Sequence, residues 1–164
     1  MSILQENLSM FLDGTLETLY MTAMSTILAY VFGLPLGILV ITTRKDGLSP
    51  HPKLNAVLDW IVNIGRSIPF LILMIIVLPL SKIIVGTKVG TPATIPPMVV
   101  AAFPLVARMV ESSRREVHRG VIEAAQSMGA SNWQIITKVM LPESLPSLLS
   151  GGTITVGTIL GYGA

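Results

Sequence analysis

The chain has 164 residues, of which 51% are hydrophobic and 12% charged, with a formal net charge of +2 and a mean hydropathy of +0.72. A soluble domain of this size carries about 25% charged residues to keep its surface wet, so the composition excludes an ordinary water-soluble enzyme. The small, scattered positive charge gives no reason to expect nucleic acid as a partner, and without cysteine neither a disulfide framework nor a thiolate metal site is possible.

In chain order, residues 1–18 contain no Lys or Arg but carry Glu6, Asp13 and Glu17. The apolar run that follows, Leu19 to Ile41, has 23 residues without a charge. That is too long for a cleaved signal core, and roughly 20 apolar residues suffice to cross the hydrocarbon core, so it is a retained first span. Within it, Gly33 and Gly37 form a small-xxx-small pattern that permits close helix contact. A loop with Arg44, Lys45 and Lys53 comes next.

The second segment, Trp60 to Ser81, has 22 residues interrupted only by Arg66. On one helix, Asp59, Asn63, Arg66, Ser67 and Phe70 fall within about 100° of each other, a polar stripe along an apolar segment. An arginine some 10 Å along such a helix (seven residues past Asp59 at ~1.5 Å each) normally faces protein or water. Asn63, Arg66 and Ser67 are therefore expected to border a translocation path, the alternative being that Arg66 snorkels to the interface or caps nearby carbonyls. Pro69 and Pro79 lack an N–H and would disturb the helix locally.

Lys82 and Lys88 precede the third segment, Val89 to Ala107, of 19 residues, and the fourth, Ser144 to Ala164, has 21. The fourth is rich in Gly and Thr, as suits a helix buried among others or facing an aqueous path. No alternating strand pattern occurs, and in lipid the backbone must bond to itself, so the fold class is an all-α polytopic membrane bundle. With the N-terminus outside, eight basic residues lie in cytoplasmic loops against two outside, which sets the orientation.

The cytoplasmic segment 108–143 has its own grammar. Arg108, Glu111, Arg114 and Arg115 have the i,i+3 and i,i+4 spacing that continues the third helix past the membrane. Residues 121–128 favour a short helix, Gly129 is placed to end it in the left-handed conformation, and Ser131 with Gln134 fits a capping box opening another. Pro142 and Pro146 mark the return to the membrane. A helix, a glycine turn and a second helix make a rigid knob, where Ala124 and Ala125 would let another surface approach and Glu123 offers a charge.

Glu123-Ala124-Ala125, then Gly129, Val139, Leu141 and Pro142 at their spacing resemble the EAA loop of ABC importer permeases, with Val139 standing where the usual pattern has isoleucine. The runs 61–70, 107–111 and 141–146 resemble the methionine importer permeases in particular. The resemblance implies a type I importer permease, with 1–164 as a single transmembrane domain and a further C-terminal span beyond it. It also implies a homodimer in the bacterial inner membrane, an ABC ATPase subunit seated on the EAA loop, and an extracytoplasmic substrate-binding protein. ATP and magnesium would belong to the ATPase, since no Gly-x-x-x-x-Gly-Lys-Ser/Thr phosphate loop occurs here.

Rival readings find less support. A secondary transporter driven by an ion gradient would be expected to carry acidic residues within its spans, and only Asp59 approaches one. An intramembrane metalloprotease would need a ligand cluster such as His-Glu-x-x-His, whereas His51 and His118 lie far apart and outside the spans. A membrane scaffold without transport remains, opposed mildly by the polar stripe. No residue is expected to perform bond chemistry or to hold a metal.

Overall fold

The computed structural model describes residues 2–114 and 117–163; Arg115, one of the basic residues assigned to the cytoplasmic side, lies outside them. α1 runs from Ser2 to Thr43, 42 residues. At ~1.5 Å per residue it is about 60 Å long, twice the hydrocarbon thickness. The expected span 19–41 is only its second half, and the polar-looking tail before it is helix as well.

α2 (Pro52–Ser67) opens on Pro52, whose missing N–H has no partner to lose in a first turn. α3 (Phe70–Val85) follows at an angle of 109°. The expected segment 60–81 is therefore not one helix. A residue before proline is driven out of the α region, and Ile68 is extended, with φ −83° and ψ 123°. Pro69 then caps α3, its carbonyl accepting from Leu73 N at 3.1 Å. Pro79, by contrast, is carried inside α3 without ending it.

α3 closes on Gly86 at φ +84°, and α4 (Thr91–Ser113) begins with Pro92 in its first turn. α4 is the axle of the bundle: α1, α2, α3 and α8 (Leu145–Gly163) all pack against it. Its Ala93, Ala102, Val106 and Ala107 are at most 1% exposed. As expected from the charge spacing, it continues past residue 107 to Ser113.

Glycine sets how near its neighbours come. A Cβ on Gly33 would lie 2.7 Å from Phe103 O and one on Gly37 2.8 Å from Ala107 O, so α1 meets α4 backbone to backbone at the Gly33–Gly37 pattern. Gly65 of α2 likewise seats the ring of Pro104, which a Cβ would approach to 2.6 Å.

α8 is tied to α1 by Tyr30, whose hydroxyl donates to Leu148 O at 2.9 Å. Tyr162 of α8 stacks on Phe70 with ring centroids 4.2 Å apart. Gly151 and Thr155 of α8 are buried, while Gly157 and Gly161 face open space.

Among the described residues, Asn7–Thr43 and Thr91–Ser113 are long and apolar enough to cross a membrane, and the bent pair α2–α3 adds a third crossing if counted as one. α8, the expected fourth span, is not among them, because its glycines and threonines dilute its apolar character.

Candidate functional site: the cytoplasmic knob and the end of α2

The knob consists of α5 (Arg119–Ser127), a turn, α6 (Asn132–Ile135), a π-helical turn (Ile136–Met140) and α7 (Leu141–Glu143). Gly129 has φ +80°, as its position after α5 requires. Its N–H donates to Gln126 O at 2.9 Å and Ala130 N–H to Ala125 O at 3.1 Å, the paired bonds of a Schellman turn. The capping box is also present: Gln134 N donates to Ser131 Oγ at 3.3 Å, and Ser131 N to Gln134 Oε1 at 2.9 Å. These two local devices fix the angle between α5 and α6.

The wide turn at 136–140 traces to Pro142. A proline in a helix supplies no N–H and crowds the carbonyl four residues back. Here the ladder opens to an i→i+5 bond, Leu141 N to Ile136 O. Ile136 and Met140 anchor the turn in the core, with Val139 and Leu141 packed against them.

The EAA residues do not share one face. Glu123 is 68% exposed at its side chain and pairs only loosely, 3.7 Å from Arg119 Nε. Ala124 is exposed, but Ala125 is 5% exposed and packed into the bundle's core. The expectation that both alanines receive another surface is corrected for Ala125: the face of α5 that packs on the bundle carries Ala125 together with Ile122, three residues earlier, and the 100° step to Ala124 takes that residue off it. Val139 and Leu141 likewise hold the knob to the bundle rather than facing out, while Pro142 is exposed.

The outer surface holds residues that the sequence motif did not single out. Met128 is 81% exposed, Trp133 of α6 71% and Val121 43%; Val121 and Met128, seven residues apart, fall on one side of α5. Val121, Ala124 and Met128 lie at i, i+3 and i+7 along one exposed side of α5, an apolar strip suited to a partner, and Trp133 adds an exposed ring on α6. Trp133 could have been found from its place in the first turn of a capped helix too short to bury it.

A polar cleft separates α5 from the loop 44–51, lined by Asp46, Arg114, Arg119, Glu123 and Gln126 among others. Arg114 crosses it, with Nη1 3.1 Å from Asp46 Oδ2 and Nη2 donating to Asp46 O at 2.8 Å. The guanidinium holds the Asp46 carboxyl below its ordinary value.

At the other candidate region, Asn63, Arg66 and Ser67 are all exposed in the last turns of α2. Ser67 Oγ donates to Asn63 O at 2.7 Å, and Arg66 makes no hydrogen bond or ion pair among the described residues. Carbonyl capping by Arg66 is therefore not seen. The five-residue stripe is split. Phe70 belongs to α3, beyond the 109° break, and Asp59 turns toward Arg108 of α4 at 3.5 Å. Among the described residues no three His, Asp or Glu side chains converge as metal ligands.

Comparison with known proteins adds four likenesses. The model of the family described as binding-protein-dependent transport system inner membrane component matches residues 29–164. The probable D-methionine transport system permease protein MetI of Vibrio cholerae is 49% identical over 158 residues, 96% of this chain and 70% of that protein. The D-methionine permease MetI of Escherichia coli is 46% identical over 92% of this chain and 70% of its own length. A solved structure of the MetNI methionine ABC transporter in inward-facing conformations superposes with a TM-score of 0.91 at 45% identity, over 93% of this chain and 71% of that one.

Proposed function

The chain belongs to the family of binding-protein-dependent transport system inner membrane components, and from that premise we propose that it is the inner-membrane permease subunit of a methionine ABC importer, driven by ATP hydrolysis on a separate subunit seated on the knob. The observation that carries the ATPase seat is the knob itself. Exposed Val121, Glu123, Ala124 and Met128 of α5 and its end, with exposed Trp133 of α6, stand on a frame locked by Gly129 and the Ser131–Gln134 box.

Ala124, Glu123 and the turn at Gly129 meet the ATPase, while Ala125, Val139 and Leu141 fix the knob's seat on the bundle and Pro142 shapes the wide turn before α8. ATP and magnesium are held by the partner. Two copies of the permease enclose the path, each contributing Asn63, Arg66 and Ser67, and an extracytoplasmic binding protein delivers the amino acid. Nucleotide binding moves the knobs, and the bundle changes between inward and outward access. Each state is stabilised by a different ligand, nucleotide on one side and loaded binding protein on the other.

The test is reconstitution of permease, ATPase and binding protein in vesicles, with labelled methionine. The reading expects uptake that requires ATP and is indifferent to collapse of the proton gradient. Uptake by the permease alone, driven by an imposed gradient, would establish the secondary-transporter alternative instead.

A further inference from the structure

Four charged side chains meet where the cytoplasmic ends of α1 and α4 approach α2. Glu111 of α4 has a side chain only 8% exposed; it lies 2.9 Å from Arg44 Nη1 and also pairs with Arg108 of its own helix. Arg108 in turn faces Asp59 of α2 at 3.5 Å, and that Asp59 oxygen is itself buried without a hydrogen bond. Taking either cation away from a carboxylate as buried as Glu111 leaves an uncompensated buried charge. The i,i+3 pair with Arg108 is legible in sequence; Arg44 and Asp59, 67 and 52 residues away, are not.

From this cluster polar contacts continue outward to the knob. Arg44 opens the loop 44–51, Asp46 of that loop is held by Arg114, and Leu48 O accepts from Asn132 Nδ2, at the start of α6, at 3.2 Å. Inward, α2 is fastened to the end of α1 by Asn55, whose Nδ2 donates to Val40 O at 2.8 Å and Thr43 Oγ1 at 3.2 Å. Asp59 and Arg66 are on the same helix, about two turns apart, so a shift imposed at Asp59 reaches Arg66 through rigid backbone.

We propose that Glu111 is a positioning residue for transport: through Arg44 it holds the loop that rests on the knob, and through Arg108 and Asp59 it sets α2, the helix of Asn63 and Arg66. The inference rests on the permease reading above. Glu111 touches neither the ATPase surface nor the path; it makes the position of one depend on the other.

The experiment uses the full transporter in vesicles, with methionine uptake and ATP hydrolysis measured on the same samples for the parent, Glu111→Gln, Asp59→Asn and the double variant. Glu111→Gln is expected to retain its ATPase and basal hydrolysis but to move roughly tenfold less methionine per ATP, an ordinary coupling effect. Asp59→Asn falls in the same direction by less, and Glu111→Asp recovers part of the loss. The double variant is expected to be no worse than Glu111→Gln, because both act through one network.

A merely structural role would lower the amount of folded complex without changing methionine moved per ATP. A ratio within about twofold of the parent in Glu111→Gln, or losses that multiply in the double variant, overturns the proposal. If Glu111→Gln does not assemble, Asp59→Asn decides: an unchanged ratio there overturns it equally. A parent complex with no ATP-driven methionine uptake overturns the permease reading instead, and the inference with it.

Discussion

Glycine does opposite work in the bundle and in the knob. At Gly33, Gly37 and Gly65 the backbone is ordinary helix, and the residue is needed because α4 leaves no room for a Cβ. At Gly129 nothing lies within 4 Å of a Cβ, and the residue is needed because φ is +80°. The bundle is thus held by shape against distant residues, the knob's turn by local backbone preference. Substitutions in the first should scale steeply with side-chain size; those in the second should hardly depend on it.

The largest effect is expected at Gly37. Leucine there drives into Val110 and into Ala107 O, which belongs to backbone and cannot step aside. Overpacking of this kind costs about 3 kcal/mol or more at its upper end, and little folded permease should survive in a detergent melt or size-exclusion profile. Gly157→Leu on α8, with nothing within 4 Å, should leave the same profile intact. Equal behaviour of the two would break the shape argument.

Next come the neighbouring alanines of the knob. Ala125→Trp should destabilise the permease on its own, by about 1–3 kcal/mol, since Ala125 is packed inside. Ala124→Trp should leave the isolated permease melting as before while weakening copurification of the ATPase. Were the two to act alike, the inward and outward division of α5 would be wrong.

Arg66→Leu is expected to leave folding and ATPase binding untouched and to reduce methionine uptake, which vesicle transport at matched expression measures. Normal uptake would make Arg66 an interfacial residue only.

Gly129→Ala should cost about 1 kcal/mol for a Cβ at positive φ. Gly129→Leu should cost little more, because the space is empty. A melting series over Ala, Ser and Leu reads this directly; a steep rise with size would show a hidden neighbour.

The smallest effect is expected at Asp46. Its folded pKa is lowered, chiefly by the hydrogen bond from Arg114, so its stabilising contribution is present above the ordinary value of 3.8 and disappears as pH falls through the lowered one. The carboxylate is more than half exposed, and an exposed pair of this kind is worth at most about 1 kcal/mol. Asp46→Asn should therefore melt slightly lower than the parent at pH 7, with the gap closing in strong acid.

The sequence by itself determined the class of protein and the knob's turn, because these depend on composition or on residues within a few positions of each other. Long charge-free runs force helices whatever they pack against. Gly129 after α5 and Ser131 three residues before Gln134 specify their geometry without distant help. Only the tertiary structure decided the rest. It showed that of the two prolines in 60–81 it is Pro69, not Pro79, that breaks the segment, dividing the polar stripe between two helices and two directions. It turned Ala125 inward while leaving Ala124 out, and it brought Arg44 and Asp59 to opposite sides of the Arg108–Glu111 pair. For Ala125 and for the placing of Arg44 and Asp59 the reason is the same. Periodicity tells which residues share a face of one helix, but which neighbour covers that face depends on contacts between residues far apart in the chain, and no local spacing records them.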